Sequence, residues 1–133
     1  MENVRLSQCM IVKNEERNIE RVLSCAKDYA FEQIVVDTGS TDRTVELAKN
    51  MGAKVFHYEW INDFAAARNY AIEQASGNWL LILDADEYIS SDDFPKLMQL
   101  INKIQDDADP GKEYLAINCK LVNINDAGKP ICI

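Results

Sequence analysis

Trp79-Leu80-Leu81-Ile82-Leu83-Asp84-Ala85-Asp86-Glu87 carries five apolar residues straight into three carboxylates. The apolar run is too short to cross a membrane and fits a strand buried on both faces, as in a parallel sheet. The strand would end where the carboxylates begin. Ligands of open α/β sheets bind beyond the carboxyl ends of the strands. Asp84 and Asp86 are therefore expected at the mouth of a cleft, two positions apart and able to share a cation. Hard divalent ions such as Mg²⁺ or Mn²⁺ take carboxylate oxygens. A lone D-x-D string is also what a solvated strand end or a helix cap looks like, so the rest of the chain has to decide.

Upstream, short apolar runs alternate with helical periodicity. Residues 6–12, 33–37 and 54–58 read as strands. Between the first two, Ile19, Val22, Leu23 and Ala26 recur at helical spacing, so a helix is expected to reach about residue 29. Asn14 is its candidate N-cap, and Glu15 and Glu16 suit a first helical turn. A second helix runs through Val45, Leu47, Ala48 and Met51, capped by Thr41 or Asp42 and stopped by Gly52. Asp37 ends the second strand and is not required as a cap, which leaves it free for a base or sugar; a turn-forming Asp is the plain alternative. A third helix is expected over 65–75, capped by Asn62 or Asp63. Arg68 lies one turn into it among alanines, within reach of a phosphate or a base edge, or of Glu73 or another carboxylate. His57, the only histidine, reads as a surface or packing residue.

Strand, helix, strand, helix, strand, helix, strand is the order of parallel βαβ units with right-handed crossovers. After Glu87 the pattern changes. Residues 90–93 cap a helix with Pro95 in its first turn and an apolar face of Leu97, Leu100, Ile101 and Ile104. An acidic loop over 106–112 precedes a strand over 114–123, a hairpin turn over 125–129 and a return strand from Pro130.

The bulk composition bounds the function. The chain has 133 residues, 47% of them hydrophobic and 27% charged, which is enough for one globular domain with a core. A net charge of -8 argues against a general nucleic-acid or anionic-membrane surface. Binding a phosphorylated ligand then needs a metal or a placed arginine. Cys9, Cys25, Cys119 and Cys132 are widely separated and read as reduced, mostly buried thiols of a cytoplasmic protein. No signal peptide or membrane-spanning run is visible in the sequence.

Four segments together resemble glycosyltransferase family 2, which has the GT-A fold. They are Met10-Ile-Val-Lys-Asn-Glu-Glu16, Ile34-Val-Val-Asp-Thr-Gly-Ser-Thr-Asp42, Asp63-Phe-Ala-Ala-Ala-Arg-Asn69 and Leu83-Asp-Ala-Asp-Glu87. They stand in the family's order over roughly the first two-thirds of the chain, and look most like bacterial members that carry helical repeats further along. The resemblance implies an α/β fold: a Rossmann-like three-layer sandwich with a mostly parallel central sheet and helices on both faces. It implies a single GT-A domain over 1–133, truncated at its C-terminal acceptor-binding part. Val12, Asn14 and Glu15 would line the nucleotide pocket, with Asp37 and Thr38 beside the base and ribose. Many family members carry a second Asp where Thr38 stands. Arg68 would approach the nucleotide, Asp84 and Ala85 would contact the donor, and Asp86 with Asp84 would hold Mn²⁺ or Mg²⁺. The implied activity is transfer of a sugar, with inversion, from a nucleotide-diphosphate donor (a UDP-sugar by analogy) to an unidentified acceptor. The family's catalytic base is expected beyond the D-x-D half, past Ile133.

Two other readings compete. Haloacid-dehalogenase-like phosphohydrolases also place D-x-D after a buried strand, with the first Asp as nucleophile, but usually near the chain start and before Gly-Thr. A non-catalytic module could bind a nucleotide for regulation, or form a homodimer by pairing the edge of its C-terminal hairpin.

Overall fold

The computed structural model describes residues 3–107 together with Ala116, Ile117, Cys119, Val122 and Ile124. The expected hairpin turn over 125–129 and its return strand lie outside the described residues, as does most of the strand expected over 114–123. Eight elements alternate without exception: β1 (Leu6–Val12), α1 (Ile19–Ala26), β2 (Glu32–Asp37), α2 (Thr44–Asn50), β3 (Lys54–His57), α3 (Phe64–Glu73), β4 (Trp79–Ile82) and α4 (Phe94–Asp106).

The strands form one parallel sheet in the order β3-β2-β1-β4. The chain steps outward from β1 to β3, then returns across the sheet to place β4 on the free side of β1. A right-handed crossover puts its helix on opposite faces for opposite directions of travel. Accordingly α1 and α2 cover one face, where Met10, Val12 and Val35 pack with Ile19, Val22, Leu23 and Ala48. On the other face Cys9, Ile34 and Val36 pack against Ala71 of α3. The layers are thus helix, sheet, helix, the α/β Rossmann-like arrangement expected. The alanines of α3 let that helix lie close: Ala67 and Ala71 are its buried residues. Next to α1, α4 brings Phe94 and Ile101 against Leu6 and Ala26. The Phe94 ring stacks on Tyr29 with centroids 4.4 Å apart.

Several expectations need correction. β4 is not buried on both faces: Leu80 and Ile82 are 42% and 40% exposed. The reason is position. Among the described residues β4 is the edge of the sheet, and α3 packs over β1 and β2 instead. α1 begins at Ile19, with Asn18 rather than Asn14 at the N-cap position. Among the described cysteines Cys9 is enclosed, Cys25 half-buried and Cys119 exposed, all three free, while Cys132 lies outside the described residues. Asp63 does cap α3, accepting the Ala66 N–H at 3.1 Å. Gly52 does end α2, at φ +86°, where a side chain would be strained.

Two buried polar clusters were not legible in the sequence. Gln8 and Gln33 pair in register across β1 and β2. The Gln33 amide donates to Gln8 Oε1 and to the Leu23 carbonyl, both at 2.7 Å, and Gln8 donates to the Val22 carbonyl at 3.0 Å. These bonds fasten α1 to the sheet. At the amino-terminal ends of the strands, the buried Glu32 carboxylate accepts from Ser7 Oγ at 2.8 Å, Lys54 Nζ at 2.9 Å, and the amide and hydroxyl of Ser76. Burial pushes the Glu32 carboxyl up, but the hydrogen bonds from the Ser76 amide, Lys54, Ser7 and the Ser76 hydroxyl outweigh it and hold the carboxyl down at about 2. Gly77 completes the cluster. Its N–H donates to Ser7 Oγ at 2.9 Å, and a Cβ there would stand 2.3 Å from the Arg5 carbonyl oxygen.

Two outcomes are expected. Gly77→Ala will lower stability by about 1–3 kcal/mol, read by thermal melting, because backbone must move to admit the methyl. The Glu32 contribution is fully present above its ordinary value of 4.5 and is lost as pH falls toward about 2. Melting temperature followed across that window should fall less steeply in Glu32→Gln than in the wild type.

Candidate functional site

The sheet order reverses direction between β1 and β4, and a crevice at the carboxyl end of such a reversal is where open α/β sheets take ligands. A cavity of about 460 Å³ lies there, lined by Ile11, Glu15, Phe64, Arg68, Asp84, Ala85 and Asp86. That volume is in the usual range for small-molecule sites. β1 delivers Ile11 and the loop after it Glu15, α3 delivers Phe64 and Arg68 from one helical face, and the segment after β4 delivers the two aspartates. Arg68 Nη2 lies 3.4 Å from Asp84 Oδ1, with both side chains about half in solvent. So the carboxylate partner of Arg68 is Asp84 rather than Glu73.

Ala85 touches the cavity but is largely buried. It is 5% exposed and packs with Met10, Val12 and Leu83. With the middle residue plugged into the core, Asp84 and Asp86 both face solvent. Glu87 closes the turn: its carboxylate accepts the Asp84 N–H at 2.8 Å, and its own N–H donates to the Asp84 carbonyl at 3.0 Å. Arg21 of α1 supports the next residues, with Nη2 3.5 Å from the Asp86 carbonyl and the guanidinium 4.6 Å above the Tyr88 ring.

The other sequence-predicted residues form a neighbouring structure and do not line this cavity. Asn14, at φ +55°, donates its N–H to Ser40 Oγ at 2.9 Å and accepts the Thr41 N–H at 2.8 Å. Glu15 N–H donates to Thr44 Oγ1 at 2.8 Å, Glu16 N–H donates to Asp42 Oδ2 at 3.3 Å, and Arg43 N–H donates to Glu16 Oε2 at 3.2 Å. The loops after β1 and β2 are zipped together by these bonds. The Thr44 hydroxyl holds the Asp42 carboxyl below its ordinary range. At the end of β2, Asp37 serves a turn. It is 4% exposed, and its carboxylate accepts the Gly39 and Ser40 N–H groups at 3.2 and 3.1 Å. His57 Nδ1 lies 3.7 Å from it on the solvent side. Thr38 donates its hydroxyl to the Val12 carbonyl at 3.1 Å.

Asp84 and Asp86 offer hard oxygens, and no group of three or more His, Cys, Asp or Glu side chains gathers to hold a metal among the described residues. Such a pair does not cage an ion alone. It fits Mg²⁺ or Mn²⁺, which commonly keep one or two carboxylates and complete their shell with substrate phosphates and water. Sequence reasoning did not find Ile11, Phe64, Arg21 or a fixed role for Glu87. Phe64 was accessible to it, since it stands four residues before Arg68 on the same helix.

The model of glycosyl transferase family 2 matches residues 7–112. The chain belongs to that family. A TPR repeat-containing protein of Synechococcus elongatus is 52% identical over 83 residues, covering 62% of this chain and 21% of its own length. Among solved structures, Staphylococcus aureus TarS 1–349 in complex with UDP aligns with a TM-score of 0.58 at 26% identity, over 76% of this chain and 33% of its own. Glucosyl-3-phosphoglycerate synthase of Mycobacterium tuberculosis, in complex with Mn²⁺, UDP-glucose and phosphoglyceric acid, aligns with a TM-score of 0.53 at 25% identity, over 65% of this chain and 36% of its own. The chain thus spans between a fifth and two-fifths of these proteins. Membership of this family sets the phosphohydrolase alternative aside. No helix among the described residues is long and apolar enough to cross a membrane.

The exposed Arg68–Asp84 pair contributes little to folding. Arg68→Gln is expected to change stability by less than about 1 kcal/mol in denaturant titration, as for other surface ion pairs.

Proposed function

We propose that this chain is the donor-binding part of a metal-dependent, inverting glycosyltransferase. It would take a nucleotide-diphosphate sugar, a UDP-sugar first, and pass the sugar to an acceptor. The observation that carries this reading is the convergence of Glu15, Arg68, Asp84 and Asp86 on one cavity at the strand-order reversal. The UDP held by TarS and the Mn²⁺ and UDP-glucose held by the mycobacterial synthase support it.

Asp84 and Asp86 would hold the cation through their carboxylate oxygens. When bound, the ion supplies positive charge against the diphosphate that departs as the anomeric bond breaks. Arg68 adds a second positive charge on the same wall, its planar fork of N–H groups matching phosphate oxygens once it leaves Asp84. Glu15 forms the wall toward β1. Val12, Asn14, Asp37 and Thr38 would serve the nucleoside end. Here Asp37 acts by fixing the turn over 38–41, and Thr38 keeps hydroxyl lone pairs free because it donates its proton to Val12. The acceptor hydroxyl or thiol would attack from the face opposite the diphosphate, giving inversion. We assign the general base that removes its proton to the length of the relatives that this chain does not span. A cytoplasmic setting fits this reading, since nucleotide sugars are used there and Cys9, Cys25 and Cys119 are free.

Calorimetric titration with UDP, with and without Mn²⁺, tests the proposal. Binding should require the metal. Asp86→Ala should abolish it while leaving the thermal melt unchanged. Unaltered metal-dependent affinity in that variant would overturn the site, and failure to bind any nucleotide diphosphate with or without Mn²⁺ would overturn the reading.

A further inference from the structure

Glu87 is the third carboxylate of the segment after β4, and on charge alone it could be a further cation ligand or a base. Its surroundings argue otherwise. One of its two carboxylate oxygens is already committed to the Asp84 N–H, at 2.8 Å. The return bond from Glu87 N–H to the Asp84 carbonyl, at 3.0 Å, makes a closed reciprocal turn over 84–87. This is the logic of a helix capping box used to hold a turn.

We propose that Glu87 is a positioning residue: it fixes the turn that presents Asp84 and Asp86 to the donor's cation. The proposal rests on the donor-site reading above. Two contacts tie the turn to the core, and a third bond closes it. The Ala85 methyl is plugged between Met10, Val12 and Leu83. The Glu87 carboxylate holds the Asp84 amide. Arg21, on the exposed face of α1, reaches the Asp86 carbonyl and covers Tyr88. Of the three, the Glu87 bond acts directly on the backbone of Asp84, so it sets where that carboxylate starts. Groups that orient metal ligands in this way affect ion affinity without touching the ion.

Gln and Ala variants separate this role from the alternatives. Glu87→Gln keeps an oxygen that can accept the Asp84 N–H but removes the charge. Glu87→Ala removes the acceptor, and water replaces it at this half-buried site, so the fold survives. In the full chain, hydrogen exchange at the Asp84 amide should be slow in the wild type and in Glu87→Gln, and roughly tenfold faster in Glu87→Ala. Mn²⁺-dependent UDP affinity should fall about tenfold or more in Glu87→Ala and by no more than about threefold in Glu87→Gln. Equal losses in the two variants would overturn the proposal, because charge itself would then be what matters. Unchanged exchange and affinity in Glu87→Ala would overturn it as well. Slow exchange at Asp84 with no UDP binding by the wild type would instead refute the donor-site reading, and with it the cation that Glu87 is proposed to serve.

Discussion

Glu32 is the knot of the molecule. One buried carboxylate gathers Ser7 of β1, Lys54 of β3, and Ser76 from the connection that brings the chain back to β4. An unpaired charge in that position would cost several kcal/mol, so each partner is needed for the others to stay. The cluster fixes the relative height of three strands and the entry into the fourth. It sits at the amino-terminal ends, which leaves the carboxyl ends free of such ties. What happens at the opposite edge of the sheet therefore depends on loops rather than on strand pairing.

Those loops divide the labour. The segments after β1 and β2 bond mainly to each other, and their polar side chains are largely spent: Asp37 on two amides, Asn14 on Thr41, Glu15's backbone on Thr44. The segment after β4 behaves differently. It uses an alanine and a glutamate to hold itself, and leaves two aspartates outward. Two outward carboxylates, one of them in an exposed ion pair with Arg68 at the wall of an open cavity, are the chemistry of a site for a phosphorylated ligand with a cation. The spent ones beside it are its frame.

The element order was legible because each strand is a short apolar run, and each helix shows its buried face at helical spacing, as Ile19, Val22, Leu23 and Ala26 do. The four motif segments then pointed to the family. What stayed hidden has a common cause: it depends on partners far away in the chain. Nothing local marks Gln8 as buried, since its partners are Val22 and Gln33. Asp37 looked free because the amides it binds are backbone groups, which every sequence has. The exposure of Leu80 and Ile82 followed from where β4 lies in the sheet, which an unbroken apolar run cannot reveal. The cavity-lining residues Arg68, Asp84 and Asp86 were readable, and Phe64 could have been from its place one turn before Arg68, whereas Ile11 became visible only once α3 and β1 were placed side by side.

The strand order also implies a schedule of assembly. β1 can pair with β2 as soon as α1 has formed, and β3 adds one unit later. β4 must close back onto β1 across most of the described chain: the bond from Arg5 N–H to Asn78 Oδ1 joins residues 73 positions apart. Closing so long a loop is entropically dearer than closing the earlier crossovers, and it cannot begin until that stretch has left the ribosome. During synthesis, β1 therefore waits with one edge unpaired, and the wall that carries Asp84 and Asp86 is the last to arrive. The cavity is complete only once β4 has joined β1, so a chain stalled before that point would hold a partial sheet without the two aspartates.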